Sequence, residues 1–195
     1  MYNFSFHMKQ LIKDISRSCR ELRHIDSKKL LVAISHSRNN KKYGLQAKLV
    51  PLKFQGGRRV IRASGDWYCK MPPLKYEGED ILYVIYFCLP RFQNLDFKEK
   101  LTIVFHELYH INPMFNGDIR RFPGKFYQHT RSEKEYDQTV QTLSQNYIRT
   151  TRRKWLTNFL LYSHDELRRK YGDITGLNLR LPEPILFKRN KARAE

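Results

Sequence analysis

Residues 102–113 read TIVFHELYHINP, an apolar run in which two histidines lie four positions apart and a glutamate follows the first. An α-helix turns about 100° per residue, so His106 and His110 share one face and lie one turn apart. Glu107 lies at the edge of that face, and apolar side chains centre roughly opposite the histidines: Leu101, Val104, Phe105 and Leu108. The spacing predicts a helix that packs on a core and presents both imidazoles to a cleft.

Two imidazoles that point the same way can share one metal ion, and a neighbouring glutamate can act on a water that the ion holds. A zinc site that does chemistry takes three protein ligands and leaves the fourth position to water. The alternative interpretation is a histidine pair on a solvated helix face. We therefore predict a zinc centre with His106 and His110 as ligands and Glu107 as the general base.

The third ligand has to come from outside this helix. His129 lies in YQHTRSEKEYD (127–137), just before a predicted helix, in a loop that can bring it back over the histidine face. Glu133 is the rival candidate, since with Asp137 it forms a helical pattern in which a glutamate ligates and an aspartate orients a ligand histidine. We favour His129 because a neutral imidazole suits zinc well.

Other polar side chains near this motif have two interpretations each. Asp118 either orients a ligand histidine or belongs to turn chemistry in NGD. Tyr127 and Tyr136 are candidates for stabilising an oxyanion, although packing is the commoner role of a tyrosine.

Strand patterns precede the motif. KLLVAISHS (29–37) and LQAKLVPLKF (45–54) are predicted to pair as a hairpin, and GGRRVIRA (56–63) is a candidate third strand. The Pro- and Gly-containing stretch 64–80 is predicted as a loop. The apolar run ILYVIYFCLP (81–90) is predicted as a buried strand that could offer an edge to an extended peptide.

Helical patterns account for most of the remaining chain. Apolar residues three and four positions apart predict an N-terminal helix: Met8, Leu11, Ile15, Cys19 and Leu22. The motif helix is capped by Asn94 or Asp96 and ended by Pro113, and a capping box at Ser132 starts a new helix at about residue 133. A last helix is predicted from residue 154 to 171. We predict an α+β fold with one domain, 1–187, and a frayed basic tail, 188–195.

The formal net charge of +18 is the strongest compositional signal. No acid occurs from Ser27 to Gly65, a stretch with ten basic residues: Lys28, Lys29, Arg38, Lys41, Lys42, Lys48, Lys53, Arg58, Arg59 and Arg62. Such a field attracts polyanions and makes nucleic acid a candidate partner. A solubilising role is the alternative, because no recognisable nucleic-acid-binding module accompanies the charge.

The expected compartment is a reducing cytoplasm. The three cysteines form no C-x-x-C pair, so no disulfide framework is indicated. The N-terminus lacks the pattern of a signal peptide, and the longest apolar run is shorter than the roughly 20 residues that span a bilayer.

The segments LYVIYFCLPRF (82–92), EKLTIVFHELYHINPMFNGDIRRF (99–122) and QHTRSEKEYD (128–137) resemble the metallopeptidases of phage and prokaryotic genomes, a minimal zincin group. They are distantly similar to SprT-like proteases, although no SprT-type zinc ribbon is present. The resemblance implies a zincin-like fold, in which a small, mainly antiparallel sheet packs on the active-site helix between N- and C-terminal helices. It also implies a zinc cofactor, a protein or peptide substrate, His106, His110 and His129 as ligands, and Glu107 as the catalytic acid and base.

Two functional hypotheses follow from these observations. The first is a zinc-dependent metallopeptidase. The second is a nucleic-acid-associated binding protein in which zinc has only a structural role, and it depends on the acid-free basic stretch.

Overall fold

The computed structural model describes residues 1–37, 44–122 and 133–188, which form the mixed α+β fold that the sequence predicts. Its helices are α1 (Phe4–Ser18), α2 (Phe97–Tyr109), α3 (Glu133–Thr150) and α4 (His164–Tyr171). Its 3-10 segments are Arg20–Leu22, Gln55–Gly57 and Lys154–Leu161. Its strands are β1 (Tyr2–Asn3), β2 (Leu30–His36), β3 (Ala47–Pro51), β4 (Val60–Ser64), β5 (Trp67–Lys70), β6 (Leu74–Tyr76), β7 (Glu79–Ile81), β8 (Tyr83–Leu89), β9 (Ile174–Thr175) and β10 (Ile185–Lys188).

The motif helix is α2, and the sheet against which it packs has the strand order β2-β8-β3. β2 runs parallel to β8, and β3 runs antiparallel to it. The predicted hairpin of 29–37 with 45–54 is therefore wrong, because β8 lies between the two strands. The prediction that β8 offers a free edge is wrong for the same reason. The edge that the motif helix faces belongs to β3.

β8 is apolar throughout because both faces of the sheet are covered, which is typical of a central strand. The odd-numbered residues of β8 belong to the main core, together with residues of α1 and α2: Tyr83, Ile85, Phe87 and Leu89. Val84 belongs to a second cluster, which Leu177, Leu179 and Leu181 complete from the other side. The segment that follows α4 thus covers the face of the sheet opposite α1 and α2.

The stretch 64–80 contains three short strands and is not the predicted loop. β5 pairs with β4 across a two-residue turn at Gly65, where φ is +53°, and β6 pairs with β7 across Glu77 and Gly78, both at positive φ. Such two-residue turns match the twist of a hairpin. β4 is a strand as predicted, but it joins the separate sheet β10-β5-β4.

Helix predictions fared better, except at the C-terminus. The predicted N-terminal helix is confirmed over Phe4–Ser18, with Met8, Leu11 and Ile15 fully buried, but Cys19 and Leu22 lie beyond its end, Leu22 in a 3-10 segment. The single helix predicted for 154–171 is wrong. It divides into a 3-10 segment and α4, because the Ser163 side chain caps α4 in a capping box with Glu166.

The described residues contain no helix that is long and apolar enough to cross a membrane. Of the predicted tail, Lys188 ends β10, and residues 189–195 lie outside the described residues. The domain boundary at residue 187 stays a prediction.

Candidate metal centre and active site

Both ends of α2 are fixed by hydrogen bonds. At its start the Asp96 carboxylate accepts from the Glu99 N–H at 2.8 Å, and the Glu99 carboxylate accepts from the Asp96 N–H at 3.1 Å. The helix ends at Tyr109, earlier than the predicted stop at Pro113. There Arg120 donates from its main-chain N–H to the His110 carbonyl and from Nε to the Tyr109 carbonyl. These bonds satisfy carbonyls that a helix end leaves without partners.

His106 and His110 face each other, as the spacing predicts. Their Nε2 atoms are 3.0 Å apart, and their ring planes are nearly perpendicular. Two nitrogens held tetrahedrally at about 2.0–2.1 Å from one zinc ion lie about 3.3 Å apart, so the pair fits a shared ion. At 3.0 Å the nitrogens can also share one hydrogen bond, with the donor set by the tautomer.

Glu107 is buried, with 8% of its surface exposed. One carboxylate oxygen accepts a hydrogen bond of 2.6 Å from the main-chain N–H of Leu49 on β3. Burial raises the pKa of Glu107 to about 7, and the Leu49 N–H opposes this rise. Glu107 can therefore exchange a proton near neutral pH, as a general acid and base must.

Leu49 can reach Glu107 because it lies at an outward position of an edge strand. The Gln46 carbonyl accepts from the Cys88 N–H, and the Leu52 N–H donates to the carbonyl of Leu82, just before β8. The main-chain groups of the even-numbered residues therefore face β8. Pro51 occupies an outward position too, where its missing N–H costs no ladder bond. The sequence pattern does not indicate the Leu49 contact, although Pro51 is a signal that this strand lies at an edge.

Tyr136 on α3 packs against both histidines. Its ring centroid lies 5.0 Å from that of His106 and 5.2 Å from that of His110, and its hydroxyl donates to the His106 carbonyl at 3.1 Å. The structure thus gives Tyr136 a packing and positioning role and does not place its hydroxyl as an oxyanion donor.

The comparisons with known proteins give one match. Residues 3–150 match the model of a family described as "Putative phage metallopeptidase". The chain belongs to this family. No curated protein and no solved structure shows a significant match. The family match supports a peptidase role and a metal cofactor, without specifying the metal.

A third metal-ligating side chain beside His106 and His110 is absent from the described residues. Within them, no group of three His, Cys, Asp or Glu side chains could hold a metal ion. His129 and Tyr127 lie outside the described residues. Glu133 begins α3, and Asp137, the proposed orienting aspartate of the rival pattern, is exposed.

Asp118 connects the loop after α2 to the strands. Its buried carboxylate accepts from the Gly56 N–H at 2.8 Å, from Arg121 and from the Ile119 N–H. Burial raises its pKa, but these donors outweigh burial and leave the pKa below its ordinary value. The contacts favour the interpretation as turn chemistry, in a loop that fixes the end of α2.

Proposed function

We propose that this family member is a zinc-dependent peptidase in which His106 and His110 are ligands and Glu107 is the general base and acid. The observation that carries the proposal is the pair of Nε2 atoms 3.0 Å apart, with a buried carboxylate on the next residue of the same helix. The family match supports the peptidase class independently of this geometry.

The residues have separable roles in hydrolysis. A bound zinc ion would supply Lewis-acid polarisation of the scissile carbonyl and would activate a water. Glu107 accepts the proton of the attacking water and delivers it to the leaving amine, which its raised pKa allows. Tyr136 keeps the histidine rings in place through its ring contacts with both of them.

We further propose that the substrate is an extended peptide segment that lies along β3. The outward Leu49 N–H bonds to Glu107, so the main-chain carbonyls at the outward positions of β3 are the groups that would accept hydrogen bonds from the peptide. A peptide that adds to a sheet edge gains main-chain hydrogen bonds without requiring one particular sequence. This placement brings the scissile bond close to the glutamate.

His129 is proposed as the third ligand, with Glu133 as the rival. A His129→Ala variant should lose at least tenfold in zinc affinity, because a three-ligand site becomes a two-ligand site. A Glu133→Gln variant should bind zinc like the parent. Competition with a chromogenic chelator measures both affinities, and the reverse result would assign the site to Glu133.

The main test combines metal content with hydrolysis of fluorescein-labelled casein. The purified parent should contain about one zinc per chain and cleave casein, whereas His110→Ala should lose both properties. Glu107→Gln should keep the zinc and lose about 10²–10⁴-fold in rate, because general base catalysis contributes that much. The exposed Glu183→Gln variant is the matched control and should behave like the parent.

The same experiment tests the alternative of a binding protein with a structural zinc. A structural site needs four protein ligands and no base beside them. If Glu107→Gln left every measured property unchanged and the parent cleaved no peptide, the alternative would replace the peptidase proposal.

A further inference from the structure

The small sheet β10-β5-β4 carries a solvent-facing surface whose composition the peptidase proposal does not explain. Directly opposed residues in an antiparallel sheet share one face. The register opposes Arg62, Tyr68 and Phe187 in one row and Val60, Lys70 and Ile185 in the next. We call these six residues the aromatic face.

The aliphatic side chains of this face are exposed, and its two aromatic side chains, Tyr68 and Phe187, are half-buried. Val60 is 40% exposed and Ile185 is 54% exposed. The rings of Tyr68 and Phe187 lie side by side, with centroids 6.0 Å apart and planes tilted by 30°. A neighbouring pair of rings on a sheet is a platform on which flat aromatic groups can stack.

The charges of the aromatic face have one sign. Arg62 and Lys70 are exposed on two neighbouring strands, and β4, β5 and β10 contain no acidic residue. The Arg62 Nε donates to the Gly65 carbonyl at 2.7 Å, which orients the guanidinium beside the hairpin turn. In the sequence, four basic residues and one acid follow Phe187: Lys188, Arg189, Lys191, Arg193 and Glu195.

We propose that the aromatic face binds single-stranded nucleic acid, with bases stacked on Tyr68 and Phe187 and phosphates paired with Arg62 and Lys70. Proteins that bind single strands without reading their sequence use aromatic rings, on which any base can stack, and cationic side chains, which pair with the phosphates along the backbone. The net charge of +18 adds a long-range attraction for the same ligand. This inference goes beyond the proposed hydrolysis and does not depend on it.

A duplex fits this face less well than a single strand does. Bases in a duplex are stacked on each other and turn only their edges outward, so the two rings would find no partner. An acidic protein segment would satisfy the cations but not the ring platform. Single-stranded DNA and RNA both offer the required bases and phosphates.

Binding is measured by fluorescence anisotropy of labelled oligo-dT and oligo-U, each about 20 nucleotides long to exceed one site. The full-length chain should bind at least one of them, and which one binds more tightly distinguishes DNA from RNA as the ligand. Unlabelled duplex and polyglutamate of equal charge serve as competitors. Both should compete at least tenfold more weakly than the unlabelled oligonucleotide.

Two double variants separate the cations from the rings. Arg62→Ala with Lys70→Ala should weaken binding about tenfold and reduce the salt slope by about 1.4, because each single-strand phosphate contact contributes about 0.7. Tyr68→Leu with Phe187→Leu should also weaken binding about tenfold, through lost stacking. Circular dichroism checks that each variant is folded, and the cation variant carries the test if the ring variant does not fold.

Matched controls remove the same charge or the same kind of ring elsewhere. Lys28→Ala with Arg169→Ala removes two exposed cations outside this sheet, and Trp67→Ala removes an exposed ring from its opposite face. Both should bind within about twofold of the parent, as should Glu107→Gln. The proposal would be overturned if neither oligonucleotide bound. It would also be overturned if the cation variant and its control lost the same affinity, or if polyglutamate competed as well as the unlabelled oligonucleotide.

Discussion

Replacing Glu107 by Gln should make the metal-free protein more stable at pH 8 than the parent. The amide oxygen of the introduced glutamine can still accept the hydrogen bond that the Leu49 N–H donates to the carboxylate. The substitution therefore removes an ionisable group from a buried position and keeps the shape and the contact. The two proteins should differ chiefly in the cost of holding a charge there.

The size of the effect follows from the pKa. Burial raises the pKa of Glu107 from 4.5 to about 7, and one pKa unit corresponds to about 1.4 kcal/mol. A carboxyl whose folded pKa is raised contributes stability below its unfolded pKa and loses it as the pH rises through the folded pKa. The parent should therefore lose about 3 kcal/mol relative to the Gln variant between about pH 4.5 and pH 8, with most of the loss complete near pH 7.

Urea unfolding followed by circular dichroism, with a chelator present, measures this difference at several pH values. Glu183→Gln, which removes an exposed carboxylate, should follow the parent at every pH. A free-energy difference between parent and Glu107→Gln that stays within about 0.5 kcal/mol from pH 5 to 8 would show that Glu107 is not buried. A parent that gains stability relative to the variant as pH rises would show that a nearby cation stabilises the carboxylate.

Three further substitutions test the contacts around the site and the core. Tyr136→Phe removes the hydrogen bond to the His106 carbonyl but keeps the ring contacts, so urea unfolding should show a loss of about 1 kcal/mol with zinc affinity nearly unchanged; a large drop in affinity would contradict this. Tyr147→Phe removes a 2.8 Å hydrogen bond to the buried Asp14 carboxylate, and the free energy of unfolding should fall by about 1–3 kcal/mol; a neutral result would mean that water replaces the hydroxyl. Lys100 is buried, which lowers its pKa to about 8, and its ammonium donates to two main-chain carbonyls. Above pH 8 the unfolded chain binds more protons than the folded chain, so the free energy of unfolding of the parent should rise by about 2 kcal/mol relative to Lys100→Met between about pH 7.5 and 9.5. A difference between the two proteins that did not change with pH would show that the ammonium is not buried.

The helices were predictable because their evidence is local. In α3 the apolar residues that lie three and four positions apart are buried in the structure: Tyr136, Val140, Leu143 and Tyr147. A stripe of this kind requires only one periodicity over neighbouring residues. The break before α4 was also encoded locally, by Ser163 and Glu166, but the apolar residues before it imitate a continuous helix. A 3-10 segment and an α-helix differ too little in period for the pattern to separate them.

The strands were harder to place because pairing depends on residues that are far apart in sequence. β2 and β3 are neighbours in the chain, yet β8 is inserted between them from more than thirty residues downstream. Nothing in either segment records that insertion. The hairpins within 64–80 did have local signals, a glycine at Gly65 and a Glu77–Gly78 pair, but the two prolines between them favoured a loop.

The environment of Glu107 shows why the site was only half predictable. The relation of His106 to His110 depends on one turn of one helix, which the spacing fixes. Whether Glu107 is an ordinary surface carboxylate or a group that exchanges protons near neutral pH depends on burial against β3, a strand whose position the sequence did not reveal. An exposed glutamate would be ionised at neutral pH and would be too weak a base to accept a proton readily. Burial against the edge strand β3 thus raises the pKa of Glu107, which the His-Glu-x-x-His pattern alone does not guarantee. A glutamate in the same pattern on a solvent-exposed helix would lack this raised pKa.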